Sequence, residues 1–360
     1  MWSVRSAEKH DNAKLSSIQA VRAVAAWAVV TGHLLSVATM VSNGLPVFSK
    51  LYAYFGVLAH AGVDAFFVIS GAIMVLLYGK DSNEPRLSAT LRFLAKRIIR
   101  IYPLFWVTAA VTYYAGVRLN PESFIGLLRQ IMLIDVPIFH PVAWTLVYEM
   151  LFYVSVGITI LIFGRHRRLG FFFLVAAIFL SAWLNPHGVF GHPIIIEFAF
   201  GIAAGSMYRW RSVAPRFFVI VGSVLLGSGM IYVSGIDDLT TVNIARIWAL
   251  AIPVTLLIYG IMCLERDQRL TVPAWLVRAG DESYSVYLWH FGIIIGLGYY
   301  LALKGMQSIL ITIVYMIVCV VLVAIASRYS YLVFERPIMT RAFRTSVTTE
   351  KAGATATDKA

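Results

Sequence analysis

An arginine and a histidine lie within one apolar segment near the start of the chain, and their spacing suits anion binding beside acid–base chemistry. The segment, Ile18 to Val41, is long enough to cross a bilayer core of roughly 30 Å as a helix, and it contains Arg22 and His33. At about 100° per residue the two side chains return to within roughly 20° of each other, about 16 Å apart along the axis. Ionisable groups inside a span are costly and are therefore candidates for function. The plainer alternative is that Arg22 extends to the membrane surface while His33 bonds a backbone group.

Two carboxylates in later apolar segments are candidates to orient the histidine, so we predict His33, Glu149 and Asp64 as the catalytic residues. Glu149 falls at about the depth expected for His33 and could stabilise a protonated imidazole during proton transfer. Asp64 could hold the histidine's ring proton or pair with a buried cation. Each acid also has a structural interpretation. Glu149 could form a buried structural pair with an arginine, and Asp64 could cap the start of a helix. A third acid, Glu197, has no partner that the sequence identifies.

A basic cluster precedes the third apolar segment and could bind phosphates. Arg97 and Arg100 are three residues apart and therefore share one helix face. Arginine binds phosphate oxygens through two parallel hydrogen bonds, so the cluster could hold a phosphorylated ligand. The alternative is that the two arginines are an ordinary positively charged anchor or a site for lipid headgroups. Aromatic residues and a histidine follow in the segment SYSVYLWH at 283–290, for which an interfacial aromatic belt is the alternative.

These residues must be positioned by membrane helices, because the composition excludes a soluble domain. Hydrophobic residues make up 59% of the 360 residues and charged residues 13%, and the mean hydropathy is +0.78. A globule has too little interior to bury so much apolar surface. We therefore predict an all-α fold, a polytopic bundle of about ten transmembrane helices. The expected spans are 18–41, 57–78, 98–117, 142–163, 170–184, 190–208, 217–234, 243–263, 284–303 and 308–334.

The distribution of charge predicts the orientation. The net charge is +12, and most of the 30 lysines and arginines fall in alternate loops that would share one side of the membrane. The positive-inside rule makes that side cytoplasmic, with both termini there, and the basic excess then requires no nucleic acid partner. The opposite loops hold only Lys50, Arg118, Arg129, Arg246 and Lys304.

The remaining segments complete the predicted domain organisation. Residues 1–17 form a cytoplasmic segment, 18–340 the membrane domain and 341–360 a disordered cytoplasmic tail. Phe124 to Ile134 is apolar but too short to span, so it lies at the outer interface or re-enters the bundle. The only cysteines, Cys263 and Cys319, both lie in apolar runs, which argues against a disulfide framework and against a cysteine metal site. We predict no metal ligands.

Six motifs follow one another along the chain. They are Arg22-x10-His33, GVDAFFVISG at 62–71, Arg97-x-x-Arg100-Ile-Tyr-Pro, Trp144-Thr-Leu-x-x-Glu149, SYSVYLWH at 283–290 and Phe334-Glu335-Arg336-Pro337. Together and in this order they resemble the acyltransferase family 3 membrane O-acyltransferases, most closely the members that acetylate bacterial exopolysaccharides.

The resemblance implies an enzyme of the bacterial inner membrane that transfers an acyl group, acetyl for the most similar members, from cytoplasmic acyl-CoA. It implies that Arg22 and His33 are essential and that Arg97 and Arg100 help to hold the CoA. We predict that Arg22, too, binds the donor, through a phosphate, or stabilises negative charge that develops near the thioester. No tightly bound cofactor is expected. The expected acceptor is a hydroxyl of an exported or envelope polysaccharide or of its lipid-linked precursor. His33 would act as general base or would itself be acylated. Acylation of a small molecule such as a macrolide, and non-enzymatic transport of a lipid-linked sugar, remain alternatives.

Overall fold

The computed structural model describes residues 15–114, 123–186, 188–234 and 244–341, and in these ranges the regular secondary structure is helical, with no strand. Most of the predicted tail, from residue 342 onward, and the first 14 residues lie outside the described part of the chain. The main helices are α1 (Ser16–Val41), α2 (Pro46–Phe55), α3 (Val57–Tyr78), α4 (Arg86–Tyr114), α5 (Phe124–Ile131), α6 (Trp144–Phe163), α7 (Arg167–Leu184), α8 (Ile196–Trp210), α9 (Pro215–Ser234), α10 (Ile252–Arg266), α11 (Ala274–Asp281), α12 (Ser283–Leu303) and α13 (Ile309–Ser330).

Short segments of other helix types extend four of these helices. The 3₁₀ turns Pro141–Ala143 and Pro193–Ile195 lead into α6 and α8. A π-helical segment, Ile247–Ala251, leads into α10, and another, Tyr331–Glu335, follows α13. Arg246 lies directly before the first of these π-helical segments, at the end of the short helix Ile244–Arg246.

Each predicted span coincides with a helix, which confirms the all-α polytopic class. In the described residues, eight helices are long and apolar enough to cross a membrane. The predicted spans at 98–117 and 190–208 are not among these eight. The first corresponds to α4, whose first half carries the cluster with Arg97 and Arg100, and the second corresponds to the short helix α8 and its 3₁₀ turn. The eight segments are Ser16–Val41, Pro46–Tyr78, Pro141–Phe163, Arg167–Leu184, Pro215–Ser234, Ile247–Arg266, Ser283–Leu303 and Ile309–Arg341.

Helix α1 occupies the centre of the bundle, where it packs against α2, α3, α10, α11, α12 and α13. Its own N-cap residue, Leu15, makes no side-chain cap, and a carboxylate from the end of α10 takes that role. The backbone N–H groups of Ser16 and Ser17 donate to Glu265 at 2.8 and 2.9 Å, and the Ser17 hydroxyl donates at 2.5 Å. A negative charge at this position also complements the helix dipole. The end of α1 that carries Arg22 is therefore fixed to α10.

Helix α3 is held in direct backbone contact with α1 on one face and α8 on another. A Cβ atom on Gly71 would lie 2.2 Å from the Phe198 carbonyl oxygen of α8, and a Cβ on Gly62 would lie 2.6 Å from the Ala25 carbonyl oxygen of α1. Both glycines allow this close helix packing, because any side chain would separate the backbones.

The predicted non-spanning segment contains the short helix α5, which lies against α4. Trp106 donates its indole N–H to the Ile131 carbonyl at 3.1 Å, and the Tyr102 hydroxyl donates to the Met132 carbonyl at 2.7 Å. Arg129 and Asp135 form an exposed ion pair at 2.7 Å. With eight residues, α5 is too short to cross a bilayer.

Candidate active site

A cavity of about 1480 Å³ lies among α1, α3, α4, α6, α8, α10 and α12. Its lining contains two carboxylates, Glu149 and Glu265, and a larger number of cations. The excess of positive charge in a concave, partly apolar site favours an anionic ligand. The basic lining residues are Arg22, Lys80, Lys96, Arg97, Arg100, Arg209 and Arg266.

The three arginines predicted to bind the donor all face this cavity. Arg97 is enclosed by aromatic rings, because its guanidinium carbon lies 5.2, 5.5 and 5.9 Å from the ring centroids of Tyr153, Phe93 and Tyr78. Contacts of this kind hold a guanidinium in place while its N–H groups remain directed at a ligand. Arg100 lies one turn further along α4 and close enough to Arg22 for the two charges to repel each other. Glu335 and Glu149 offset part of this repulsion. The cations that line the cavity still outnumber its carboxylates, so the geometry suits a polyanion.

Glu149 faces the same cavity and belongs with the arginines rather than with the histidine. Its carboxylate accepts hydrogen bonds from the Tyr153 hydroxyl at 2.5 Å and from the Ser70 hydroxyl at 3.2 Å. The charges of Arg22 and Arg100 lie within electrostatic range of it. The hydrogen-bonding partners of Glu149 are therefore two hydroxyl groups, and the arginines act on it through their charge.

Asp64 is fully buried and forms an ion pair with Arg246, which is also buried. Glu197, for which the sequence identified no partner, is buried close enough to interact electrostatically with both Asp64 and Arg246. The face of α3 explains the arrangement: Asp64 is two turns from Gly71, which contacts α8, so Asp64 is directed toward α8 and away from α1. Asp64 therefore pairs with a buried cation, one of its two predicted partners, and it is not a helix cap because it lies within α3.

Neither predicted carboxylate contacts the histidine: among the described residues the hydrogen-bonding neighbours of His33 are a backbone carbonyl and a second histidine. His33 Nδ1 lies 3.0 Å from the Val29 carbonyl oxygen and 3.4 Å from His290 Nε2. His290 is fully buried, and its Nδ1 lies 2.6 Å from the Tyr287 carbonyl oxygen. The structure therefore does not bring His33 together with Glu149 or Asp64, and the contacts of both acids lie elsewhere.

Sequence reasoning missed His290, although its spacing carried a signal. Ser283, Tyr287 and His290 follow the i, i+4, i+7 pattern of one helix face, and in the structure all three are buried. The segment therefore faces the bundle interior, and the alternative of an interfacial aromatic belt does not hold.

The cavity ends close to the histidines without including them. Phe66 and Tyr287 both line it, whereas His33 and His290 do not. The Tyr287 hydroxyl is fixed by Thr145 at 2.8 Å and by the Val142 carbonyl at 2.7 Å. The ring of Tyr287 lies 5.7 Å from that of His290, centroid to centroid, so a single aromatic layer separates the cationic cavity from the histidine pair.

Known proteins similar to this chain cover most of its length. Exopolysaccharide production protein ExoZ of Rhizobium meliloti (strain 1021) is 30% identical in an alignment of 333 residues, and the match covers 81% of this chain and 93% of the relative. Nodulation protein 10 of Rhizobium leguminosarum bv. viciae is 25% identical over 69% of this chain and 74% of its own. BcsY of Komagataeibacter xylinus, provisionally named as a membrane-bound transacylase, is 25% identical over 76% of this chain and 75% of its own. No solved structure matches this chain significantly.

The family match decides between an enzyme and a transporter. Residues 15–328 match the acyltransferase family 3 domain, described as "Acyltransferase domain", and this range contains the cavity-lining arginines and both histidines of the pair. The chain therefore belongs to acyltransferase family 3, and it is a membrane-embedded O-acyltransferase.

Proposed function

We propose that this enzyme transfers an acetyl group from cytoplasmic acetyl-CoA to a hydroxyl of an exported polysaccharide or of its lipid-linked precursor. The observation that carries this proposal is the cavity in which Arg22, Arg97 and Arg100 converge on one side of an aromatic layer, with His33 on the other side. Such a site suits a donor that is anionic at one end and reactive at the other.

The donor assignment rests on charge and size. Coenzyme A carries a diphosphate and a further phosphate, and arginine is well suited to bind phosphate through paired hydrogen bonds. A volume of about 1480 Å³ exceeds the range of ordinary small-molecule pockets, as a long extended donor requires. In this proposal the phosphates contact Arg97 and Arg100, and the thioester is directed toward the aromatic layer.

His33 is the proposed reactive group. Its Nδ1 contacts the Val29 carbonyl, which can only accept a hydrogen bond, so that nitrogen carries the proton and Nε2 retains a free lone pair. Acting as general base, Nε2 takes the proton of the acceptor hydroxyl while the hydroxyl oxygen attacks the thioester carbonyl carbon. The carbon–sulfur bond breaks, the proton passes to the thiolate, and the products are an ester and free CoA. In the rival two-step route, Nε2 attacks the thioester carbonyl carbon first, the carbon–sulfur bond breaks and CoA leaves as the thiolate. The acceptor hydroxyl then attacks the acyl-histidine, the carbon–Nε2 bond breaks, and the hydroxyl proton passes to the thiolate, so that the products are again an ester and free CoA.

Arg22 has a proposed part in either route. Its charge, on the same helix as His33, would stabilise the negative charge that develops on the thioester oxygen or would bind a donor phosphate. Glu149 would then limit the mutual repulsion of Arg22 and Arg100 when no donor is bound.

The acceptor assignment is supported by the name of the relative ExoZ, an exopolysaccharide production protein. The distribution of basic residues supports a bacterial inner membrane location with both termini in the cytoplasm.

Two measurements test the proposal. The purified protein should release CoA from acetyl-CoA over many turnovers only when a suitable glycan acceptor is added, and mass spectrometry of surface glycans from a deletion strain should show the loss of an acetyl group. Unchanged glycans in that strain would refute the polysaccharide acceptor and would favour a small molecule such as a macrolide.

A further inference from the structure

We propose that His290 is a positioning residue for His33, whose ring proton it accepts so that His33 Nε2 remains the free nitrogen. This inference rests on the proposed function, in which His33 is the base or nucleophile. It assigns to a neutral histidine the task that the sequence assigned to a carboxylate.

The first step is the protonation state of His290. Its Nδ1 lies 2.6 Å from the Tyr287 carbonyl oxygen, and because a carbonyl cannot donate, Nδ1 must carry a hydrogen. The ring is fully buried, where an uncompensated charge is costly. His290 is therefore neutral, and its Nε2 is a bare acceptor.

The second step is the contact with His33. That bare Nε2 lies 3.4 Å from His33 Nδ1, and the Val29 carbonyl oxygen lies 3.0 Å from the same nitrogen. Two acceptors therefore share one N–H group, a three-centre arrangement. Because both acceptors require a hydrogen on Nδ1, Nε2 is the only ring nitrogen of His33 that can take a proton or an acyl group.

The third step is the change during reaction. When His33 Nε2 becomes protonated or acylated, positive charge spreads to its Nδ1–H, and hydrogen bonds from a charged donor are shorter and stronger than neutral ones. His290 would therefore stabilise the reacting state more than the resting state, which is the requirement for a contribution to rate. The Phe291 ring lies edge-on to His33 at 5.9 Å and 88° and restricts rotation of the imidazole out of this geometry.

Two substitutions of His290 separate positioning from packing. His290→Leu keeps the bulk but removes the acceptor, and we expect kcat to fall about 10- to 100-fold while the KM for acetyl-CoA stays unchanged. His290→Gln supplies an amide oxygen as acceptor and should restore most of kcat. Val286→Ala is the matched packing control: Val286 is buried on the same helix, and its truncation should lower the melting temperature and leave kcat near the wild-type value.

A spectroscopic measurement on the wild-type protein covers the case in which His290→Leu does not fold. In protein labelled with ¹⁵N-histidine, with signals assigned by comparison with His33→Gln and His290→Gln, both residues should show a protonated Nδ1 and an unprotonated Nε2. A protonated Nε2 on His290 would overturn the inference, as would an unchanged kcat in folded His290→Leu. Absence of CoA release by the wild type would instead refute the proposed function, and the nitrogen signals would still decide the geometry of the pair.

Discussion

Phe66 and Tyr287 meet edge to face, with ring centroids 6.0 Å apart, at the end of the cavity closest to the histidine pair. Phe66 also packs against three separate apolar clusters of the bundle, so it closes the junction between them. In the proposed reaction the acyl group of the donor would reach this layer, and the volume available there would limit its length.

Replacement of Phe66 by alanine should therefore relax selectivity for the acyl chain. We expect the ratio of the rate with butyryl-CoA to the rate with acetyl-CoA to rise, because removal of the ring enlarges this end of the cavity. The measurement is CoA release with each donor at saturating acceptor.

The control for this substitution is Phe152→Ala. Phe152 stacks on Phe198 with centroids 4.1 Å apart and is not among the cavity-lining residues. The Phe152→Ala variant should be less stable than the wild type, but the ratio of its rates with butyryl-CoA and acetyl-CoA should not change. If Phe66→Ala also leaves the ratio unchanged, the aromatic layer does not contact the acyl group.

Replacement of Arg97 or Arg100 by alanine should weaken acetyl-CoA binding. Each arginine that makes a charge-assisted hydrogen bond to a phosphate contributes about 1.5–3 kcal/mol, so the dissociation constant should rise by at least about tenfold. Arg165→Ala is the control, since it removes a basic residue that is exposed and does not line the cavity. If all three variants bind acetyl-CoA as tightly as the wild type, Arg97 and Arg100 serve only as positive charges that set the orientation in the membrane.

His33→Gln should abolish transfer while the affinity for acetyl-CoA stays near the wild-type value. The reason is that the proposed phosphate contacts, Arg97 and Arg100, line the cavity with Arg22, at the other end of α1 from His33. Glutamine keeps hydrogen-bonding capacity but can neither accept the hydroxyl proton nor form an acyl intermediate. A folded His33→Gln enzyme with substantial turnover would show that the histidine is structural.

A labelling experiment distinguishes the two routes. Label that passes from acyl-CoA to the wild-type protein without acceptor, and that is absent from His33→Gln, would identify the two-step route.

Arg246→Met should destabilise the protein by about 3–5 kcal/mol, because it leaves the buried Asp64 carboxylate without its cation. The double variant Arg246→Met with Asp64→Asn should recover part of that loss, since the charge of Asp64 is then removed while the buried Glu197 still lacks its cation. Thermal unfolding in detergent measures both. A double variant that is less stable than the single one would mean that the two residues contribute separately.

Orientation can be tested with single cysteines in a variant lacking Cys263 and Cys319. Val213→Cys lies in an expected cytoplasmic loop and Gln307→Cys in an expected outer loop, and both positions are exposed. An impermeant thiol reagent should label position 307 in intact cells, and position 213 only after permeabilisation. The reverse pattern would invert the proposed topology.

The sequence by itself determined the helical class, the segments and the faces of individual helices. Apolar segments of membrane length must satisfy their backbone hydrogen bonds internally, so they form helices whatever they pack against. Helical periodicity likewise placed Arg97 and Arg100 together on one face, and both line the cavity with Arg22.

Only the tertiary structure decided which helices became neighbours and therefore which side chains met. Periodicity gives the direction of a side chain around its own helix, but the order of helices around α1 depends on contacts between distant segments. His33 meets His290 across 257 residues, and Asp64 meets Arg246 across 182. Backbone contact between α3 and α8 at Gly71 directs Asp64 away from the histidine, and this contact arises only when the two helices pack.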